Sequence, residues 1–478
     1  VVFSSILFIF GFLPIFLLLY FSVPARYKNY IALAGSCFFY AWGAPLFIFV
    51  LIGTSLLDYQ FTLLIYKYRE QSRQKKLILI CSLVMNLSIL FYFKYFNFFV
   101  SQYNWGADFL GAPPLLVTHV LLPIGISFFT FQEITYVVDV YRDNAPPARS
   151  YFDFLLYIVL FPQLIAGPIV RYHDVAMQLR QRTHSPEKAM YGIYRFSIGL
   201  AKKVILANPM GSVADQVFAL PADSLTFAYS WLGITCYAFQ IYFDFSGYSD
   251  MAIGLGKIIG FDFLENFNRP YLSKSITEFW RRWHISLSNF MKEYLYIPLG
   301  GNQATALRRY VNLWIVFFLS GLWHGADWVF VIWGLYHGFL LTIEKMFWLR
   351  IEKKLPAIVS TAITFFLVLI GWVWFRSHNI SQATLFFSRM FDPFYSSTNP
   401  VLWSTLLNNR AIFTLVISFA VSFLPGVTFF QTAMTAFQNR LQAPRYAWMQ
   451  VCSSLALFLL SVIVLSNSGF NPFIYYRF

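Results

Sequence analysis

Apolar runs of membrane-spanning length recur along almost the whole chain, and they decide what it can fold into. Residues 5–21, 46–66, 77–93, 357–375, 412–430 and 449–465 are each long and nearly free of charge. A helix needs roughly 20 such residues to cross the hydrocarbon of a bilayer. Inside that layer every backbone N–H and C=O must pair within the protein, which leaves helices or a closed β-barrel. A barrel would show short alternating segments, and none are present. The sequence therefore predicts an all-α, polytopic membrane protein. Charged residues make up 12% of the 478, about half the usual soluble share.

Charge places the connections. Residues 67–76 carry five basic side chains and one acid, the clearest cytoplasmic loop in the chain. The net charge of +14 fits the positive bias of cytoplasmic loops rather than a nucleic-acid partner. The other reading is a basic mouth for an anionic substrate such as a coenzyme phosphate. The first run reads as a retained span, since it lacks a basic leader and a small-residue cleavage site. Residues 97–114 read as an external loop and 115–140 as one long run kinked at Pro123 and Gly125. Residues 154–169, with Pro162, Gly167 and Pro168, read as re-entrant. Lys202 and Lys203 interrupt the run 191–207 and are expected to snorkel to the interface. Asp244 and Asp250 separate two apolar stretches in 227–261 and read as helix-terminal or hydrogen-bonding residues, with proton carriage as the alternative. Window reasoning gives roughly 11–13 crossings in one membrane domain, residues 1–478, with no internal repeat. Cys37, Cys81, Cys236 and Cys452 lie in apolar segments without metal-like spacing and read as packing residues.

Chemistry concentrates between Arg269 and Gly338. Three of the seven histidines fall there: His284 after Trp283, His324 after Trp323, and His337. An ionisable side chain at membrane depth is costly and marks a functional site by default. His324 and His337 are thirteen residues apart, about 220° around a continuous helix. One site can use both only if the chain breaks near residues 325–327. Arg281 and Arg282 beside His284 suit anion anchoring or a solvated cytoplasmic edge. No zinc spacing, hydrolase serine elbow or nucleotide-binding glycine loop appears, so neither a metal nor a bound cofactor is expected.

At these residues the chain resembles the membrane-bound O-acyltransferase family. The motifs are Glu278-Phe-Trp-Arg-Arg-Trp-His284-Ile-Ser-Leu-Ser288 and Gly321-Leu-Trp-His324-Gly325. Leu121-Leu-Pro-Ile-Gly-Ile-Ser-Phe128, Leu164-Ile-Ala-Gly-Pro168, the segment from Tyr242 to Gly256 and Glu265-Asn-Phe-Asn-Arg-Pro-Tyr271 extend the likeness over nearly the whole chain. The nearest branch acetylates alginate and other bacterial surface polysaccharides. The resemblance implies tilted spans around a thinned core pierced by a tunnel, with re-entrant and interfacial helices. It implies His324 as the essential histidine, His284 as the second, and His337, Arg281, Arg282, Trp283, Trp323 and Asn302 in support. It also implies acetyl transfer from a cytoplasmic donor, acetyl-coenzyme A, across the bacterial inner membrane. A periplasmic SGNH-hydrolase-like partner would complete transfer to sugar.

The end of the chain adds a relay expectation. After the run 449–465 comes Asn471-Pro-Phe-Ile-Tyr-Tyr-Arg-Phe478. A D-alanylation system related to this branch uses a separate one-span peptide with a similar aromatic tail. By that resemblance, Tyr475 is a candidate acyl carrier and Tyr476 its fallback. The plainer reading is an interfacial aromatic belt. Peptidoglycan or cellulose acetylation would use the same chemistry, and a transporter without catalysis is the rival of another class.

Overall fold

The computed structural model describes residues 2–472 except 166, 400, 428, 433–435, 437–446 and 468. The described residues are helical, with no strand among them. They pack as two compact units, 1–184 with 259–264, and 185–258 with 265–478. Six helices are long and apolar enough to cross a membrane. The other apolar runs form shorter or broken helices, so length and composition alone do not yield the larger number of crossings expected from windows.

The first unit contains α1 (Leu7–Ser22), α2 (Lys28–Gly43), α3 (Phe47–Lys67), α4 (Ser72–Leu110), α5 (Ile126–Tyr141), α6 (Tyr151–Val159) and α7 (Tyr172–Arg180). Two expectations are corrected here. The supposed loop at 97–114 is helical to Leu110, where Gly111 at φ 68° ends α4. The amides of Gly111 and Ala112 return to the carbonyls of Asp108 and Ala107, capping the helix. The supposed kinked run at 115–140 has no regular secondary structure as far as residue 123, and α5 starts only at Ile126. The asparagines explain both. Asn97 exchanges two hydrogen bonds with the backbone of Val120, at 2.7 and 3.0 Å, and Asn104 does the same with Leu115. Polar residues that looked like loop formers are clamps for the irregular backbone that follows α4. Inside this unit Asp58 accepts from Ser82 and Asn86, and Glu133 accepts from Thr54, tying α3 to α4 and α5. Residues 154–169 are broken as expected, α6 giving way at Leu160 to one short turn, Phe161–Leu164.

The second unit begins with α8 (Pro186–Ala201), a π-helical turn (Lys202–Ala207) and α9 (Asn208–Phe218). Then come α10 (Phe227–Ile258), α11 (Ile276–Arg282), α12 (Ile285–Phe290), α13 (Ala306–His324) and α14 (Trp328–Ile343). The last elements are α15 (Ala357–Arg376), α16 (Ile380–Met390), α17 (Asn409–Phe423) and α18 (Ala447–Ser466). Glycines set the contact of α8 with α10. A Cβ on Gly199 would lie 2.4 Å from the carbonyl oxygen of Gly247, and one on Gly192 would lie 2.6 Å from that of Gly254. Small residues let two helices approach backbone to backbone where lipid offers no hydrophobic drive.

That approach sets the lysines and aspartates differently from the sequence expectation. Lys203 does not snorkel: it is buried and pairs with Asp244 at 2.8 Å. Lys202 pairs with Asp250 at 2.6 Å. The two aspartates sit inside an unbroken α10, so the helix-terminal reading fails, while the hydrogen-bonding one holds for Asp250, which accepts from Lys202. With Asp244 on the facing helix, the buried Lys203 ammonium is not left uncompensated, which would be the costly case.

The glycine contact generates a prediction. Replacing Gly247 by Val should lower the thermal midpoint in detergent, read by tryptophan fluorescence, because overpacking costs about 1–3 kcal/mol. Gly53→Val, where a Cβ meets nothing within 4 Å, should leave it unchanged. Equal midpoints for the two variants would contradict the close crossing.

Candidate active site

His284 stands between α11 and α12 with φ 46° and ψ 55°, the left-handed region that side chains other than glycine rarely adopt. The surrounding backbone imposes it. The amide of Asn268 donates to the carbonyl of Arg282, and the amide of Ile285 donates to that of Asn266, both at 2.9 Å. The loop 266–268 thus grips the chain on both sides of the histidine. α11 is fixed at its other end by the carboxylate of Glu344, which accepts from the amides of Ile276 and Thr277 at 2.5 and 3.0 Å.

The same loop sets the proton of His284. The amide of Ser286 can only donate, and it donates to Oδ1 of Asn266 at 3.2 Å. That oxygen therefore faces His284, whose Nδ1 lies 3.2 Å away and must carry the hydrogen. Asn266 Nδ2 in turn donates to Ser249 at 3.1 Å. Nε2 of neutral His284 is then the bare nitrogen, and it is buried without a partner among the described residues.

His324 closes α13, and its Nδ1 donates to the carbonyl of Ser320 at 2.6 Å. A carbonyl only accepts, so again Nε2 is the basic nitrogen. The chain breaks after it, as the spacing of His324 and His337 requires, and α14 starts at Trp328. Glycines bring the two helices together: a Cβ on Gly321 would lie 2.4 Å from the carbonyl of Phe330, and one on Gly334 would lie 2.3 Å from that of Phe317. Trp333 then stands between the two histidines, its ring centroid 4.8 Å from His324 and 5.2 Å from His337. Trp323 links His324, at 4.8 Å, to His284, at 6.1 Å. Phe375 and Trp280 close the wall against His324 and His337 respectively.

The structure therefore gathers His284, His324, His337 and Trp323 into one aromatic-walled cluster, with Trp283 packed beside it on Trp372. Arg281 and Arg282 stay outside it. Arg281 is exposed, and Arg282 pairs with Glu278 on its own helix at 2.6 Å. Asn302 is also exposed and accepts from Tyr296 at 3.0 Å. Tyr475 and Tyr476 lie outside the described residues. Sequence reasoning missed Asn266, Trp280 and Trp333. The indole N–H groups of the two tryptophans are buried without a partner among the described residues, and such donors suit a developing oxyanion. The signal available for Asn266 was its place in the Glu265–Tyr271 motif. No group of residues among those described could hold a metal ion.

A cavity of about 1040 Å³ opens beside the cluster. Arg195, Lys202, Asp250, Ser249, Asn266 and Arg269 line it. Arg195 and Lys202 are taken up by Asp250 and Glu265. The Arg269 guanidinium has no hydrogen bond or ion pair among the described residues. Asn266 is thus both cavity wall and partner of His284. Chemically, the site offers unprotonated imidazole nitrogens that can take the proton of a hydroxyl, indole donors, and a large cavity bordered by a guanidinium with no ion pair among the described residues.

Two outcomes follow for enzyme assays. Asn266→Ala releases His284 from its orientation and should lower turnover on the order of 100-fold, the cost of a small misplacement of a reacting group. His337→Ala, one ring further along the wall, should cost less than His324→Ala at matched expression. An Asn266→Ala enzyme with unchanged turnover would contradict the positioning role.

The sequence matches known proteins along most of its length. The model of the membrane-bound O-acyltransferase family matches residues 40–376. The chain is 42% identical to a protein of Azotobacter vinelandii described as a probable alginate O-acetylase, with all of both chains covered. It is 41% identical to a protein of Pseudomonas putida of the same description, again over the whole of both chains. A peptidoglycan O-acetyltransferase of Helicobacter pylori is 40% identical over 80% of this chain and 78% of its own. With full-length relatives of this similarity and a family match that includes all three clustered histidines, the chain belongs to the membrane-bound O-acyltransferase family and is an acyltransferase.

Proposed function

We propose that this protein is the inner-membrane subunit of a polysaccharide O-acetylation system, with alginate as the acceptor. It takes acetyl from cytoplasmic acetyl-coenzyme A and passes it outward to a periplasmic SGNH-hydrolase-like partner. The observation that carries the reading is the proton arrangement of His324: Nδ1 is committed to Ser320, which leaves Nε2 to act as base. The cavity supports an anionic, nucleotide-sized donor, because it is large and Arg269 on its wall has no ion pair among the described residues.

The reaction needs few parts. Nε2 of His324 takes the proton of an acceptor hydroxyl, and that oxygen attacks the thioester carbonyl. The carbon–sulfur bond breaks, and the imidazolium returns its proton to the leaving thiolate. His284 supplies a second bare nitrogen nearby, and the indole N–H groups steady the oxyanion. In the relay reading the first acceptor is the phenol of Tyr475, which hands the acetyl group to the partner. The likeness to a peptidoglycan O-acetyltransferase favours peptidoglycan as the second reading of the acceptor.

Purified protein supplied with acetyl-coenzyme A and partner should release coenzyme A, and His324→Ala should abolish the release. Undiminished release by that variant would overturn the assignment. In cells, Tyr475→Phe should remove ester-linked acetyl from alginate while leaving the protein at normal levels in the membrane. Retained alginate acetylation would reject the relay. Acetyl lost from peptidoglycan instead would establish the second reading.

A further inference from the structure

The last described residues are half-buried against the second unit. Lys203 Nζ donates to the carbonyl of Pro472. Asn208 Nδ2 donates to the carbonyl of Phe470 at 3.2 Å and lies 3.3 Å from Oδ1 of Asn471. The same Lys203 ammonium pairs with Asp244 at 2.8 Å, and both side chains are only 3% exposed. Lys203 lies near the middle of the helical run 186–218, and Asp244 near the middle of α10. α18 ends at Ser466, so six residues carry the chain from that helix end to the midpoints of two buried helices.

An ammonium has three protons: here it faces the Asp244 carboxylate at 2.8 Å and donates to the carbonyl of Pro472. Lys203 stands on a π-helical turn, a distortion that recurs at functional sites. On α10 the neighbour of Asp244, Phe245, packs edge-on against His284 with centroids 4.7 Å apart. The seat of the tail is thus one residue along the helix from a wall of the imidazole cluster.

We propose that Lys203, Asp244 and Asn208 form a socket that docks the chain's own C-terminal segment, Phe470–Pro472, and thereby fixes where the aromatic end is delivered. The delivery rests on the relay reading above; the docking rests on the contacts alone. The ion pair holds the ammonium in place, and the ammonium and the Asn208 amide hold the tail. The tail then needs no partner protein to find its seat.

The test is the rate at which carboxypeptidase Y trims the full-length purified protein through Asn471, read by intact mass. The charge-neutral double variant Lys203→Met with Asp244→Asn should be trimmed about tenfold faster than the parent. Asn208→Ala, which leaves the ion pair intact, should also be trimmed faster, and it carries the test if the double variant fails to fold. Unchanged trimming in Asn208→Ala, or in a folded double variant, would overturn the socket. Tyr475→Phe should be trimmed at the parent rate. If that variant still transfers acetyl to partner, the relay falls while the socket stands. If socket variants are trimmed faster yet transfer normally, the docking stands and delivery through it falls.

Discussion

A polar group buried in a membrane protein has little water to bond with, so most of its stabilisation must come from partners inside the protein. That constraint shapes the structure more than hydrophobic burial does, because lipid tails are as apolar as a leucine side chain. Asn97 and Asn104 complete an irregular segment of backbone. Asp244 and Asp250 neutralise lysines facing them from the next helix. The carboxylate of Glu344 completes the start of the helix that leads to His284. Removing one member of a buried pair leaves the other uncompensated, which is the costly case.

The same constraint produces the reactive groups. An imidazole has two nitrogens, and His284 and His324 each have one committed to a fixed acceptor. For His324 the acceptor is the carbonyl of Ser320, and for His284 it is the amide oxygen of Asn266. In a wet site either tautomer would be available. Here the protein chooses, and the choice leaves Nε2 without a hydrogen on both rings. The strained backbone at His284 is part of this arrangement: with both flanks tied to 266–268, the ring cannot drift from Asn266. Strain of this kind persists where the surroundings over-determine it.

Much of this was legible in the residues. Apolar runs gave the all-helical membrane class, and the thirteen-residue spacing of His324 and His337 required the break that falls between α13 and α14. The Trp-His pairs and flanking glycines pointed to the cluster. Other parts were hidden because they depend on distant partners. Nothing local shows that Lys203 meets Asp244, since the pairing requires the glycine crossing of α8 with α10. Asn97 and Asn104 look like loop formers until the segment they clamp is in view. Asn266 stood in plain sight within a motif, but its effect on a proton eighteen residues away needs the left-handed turn. Arg281, Arg282 and Asn302 drew attention by proximity in sequence, and helix geometry turns them away from the imidazoles.

The central claim is that His284 and His324 hold their protons on Nδ1 and leave Nε2 unprotonated. Nitrogen-15 NMR of the full-length protein in lipid, labelled only at histidine and assigned by single substitutions, reads this directly. The account predicts a protonated Nδ1 and an unprotonated Nε2 for both residues near neutral pH. A proton on Nε2 of neutral His324 would contradict it, because that nitrogen could then not act as the base.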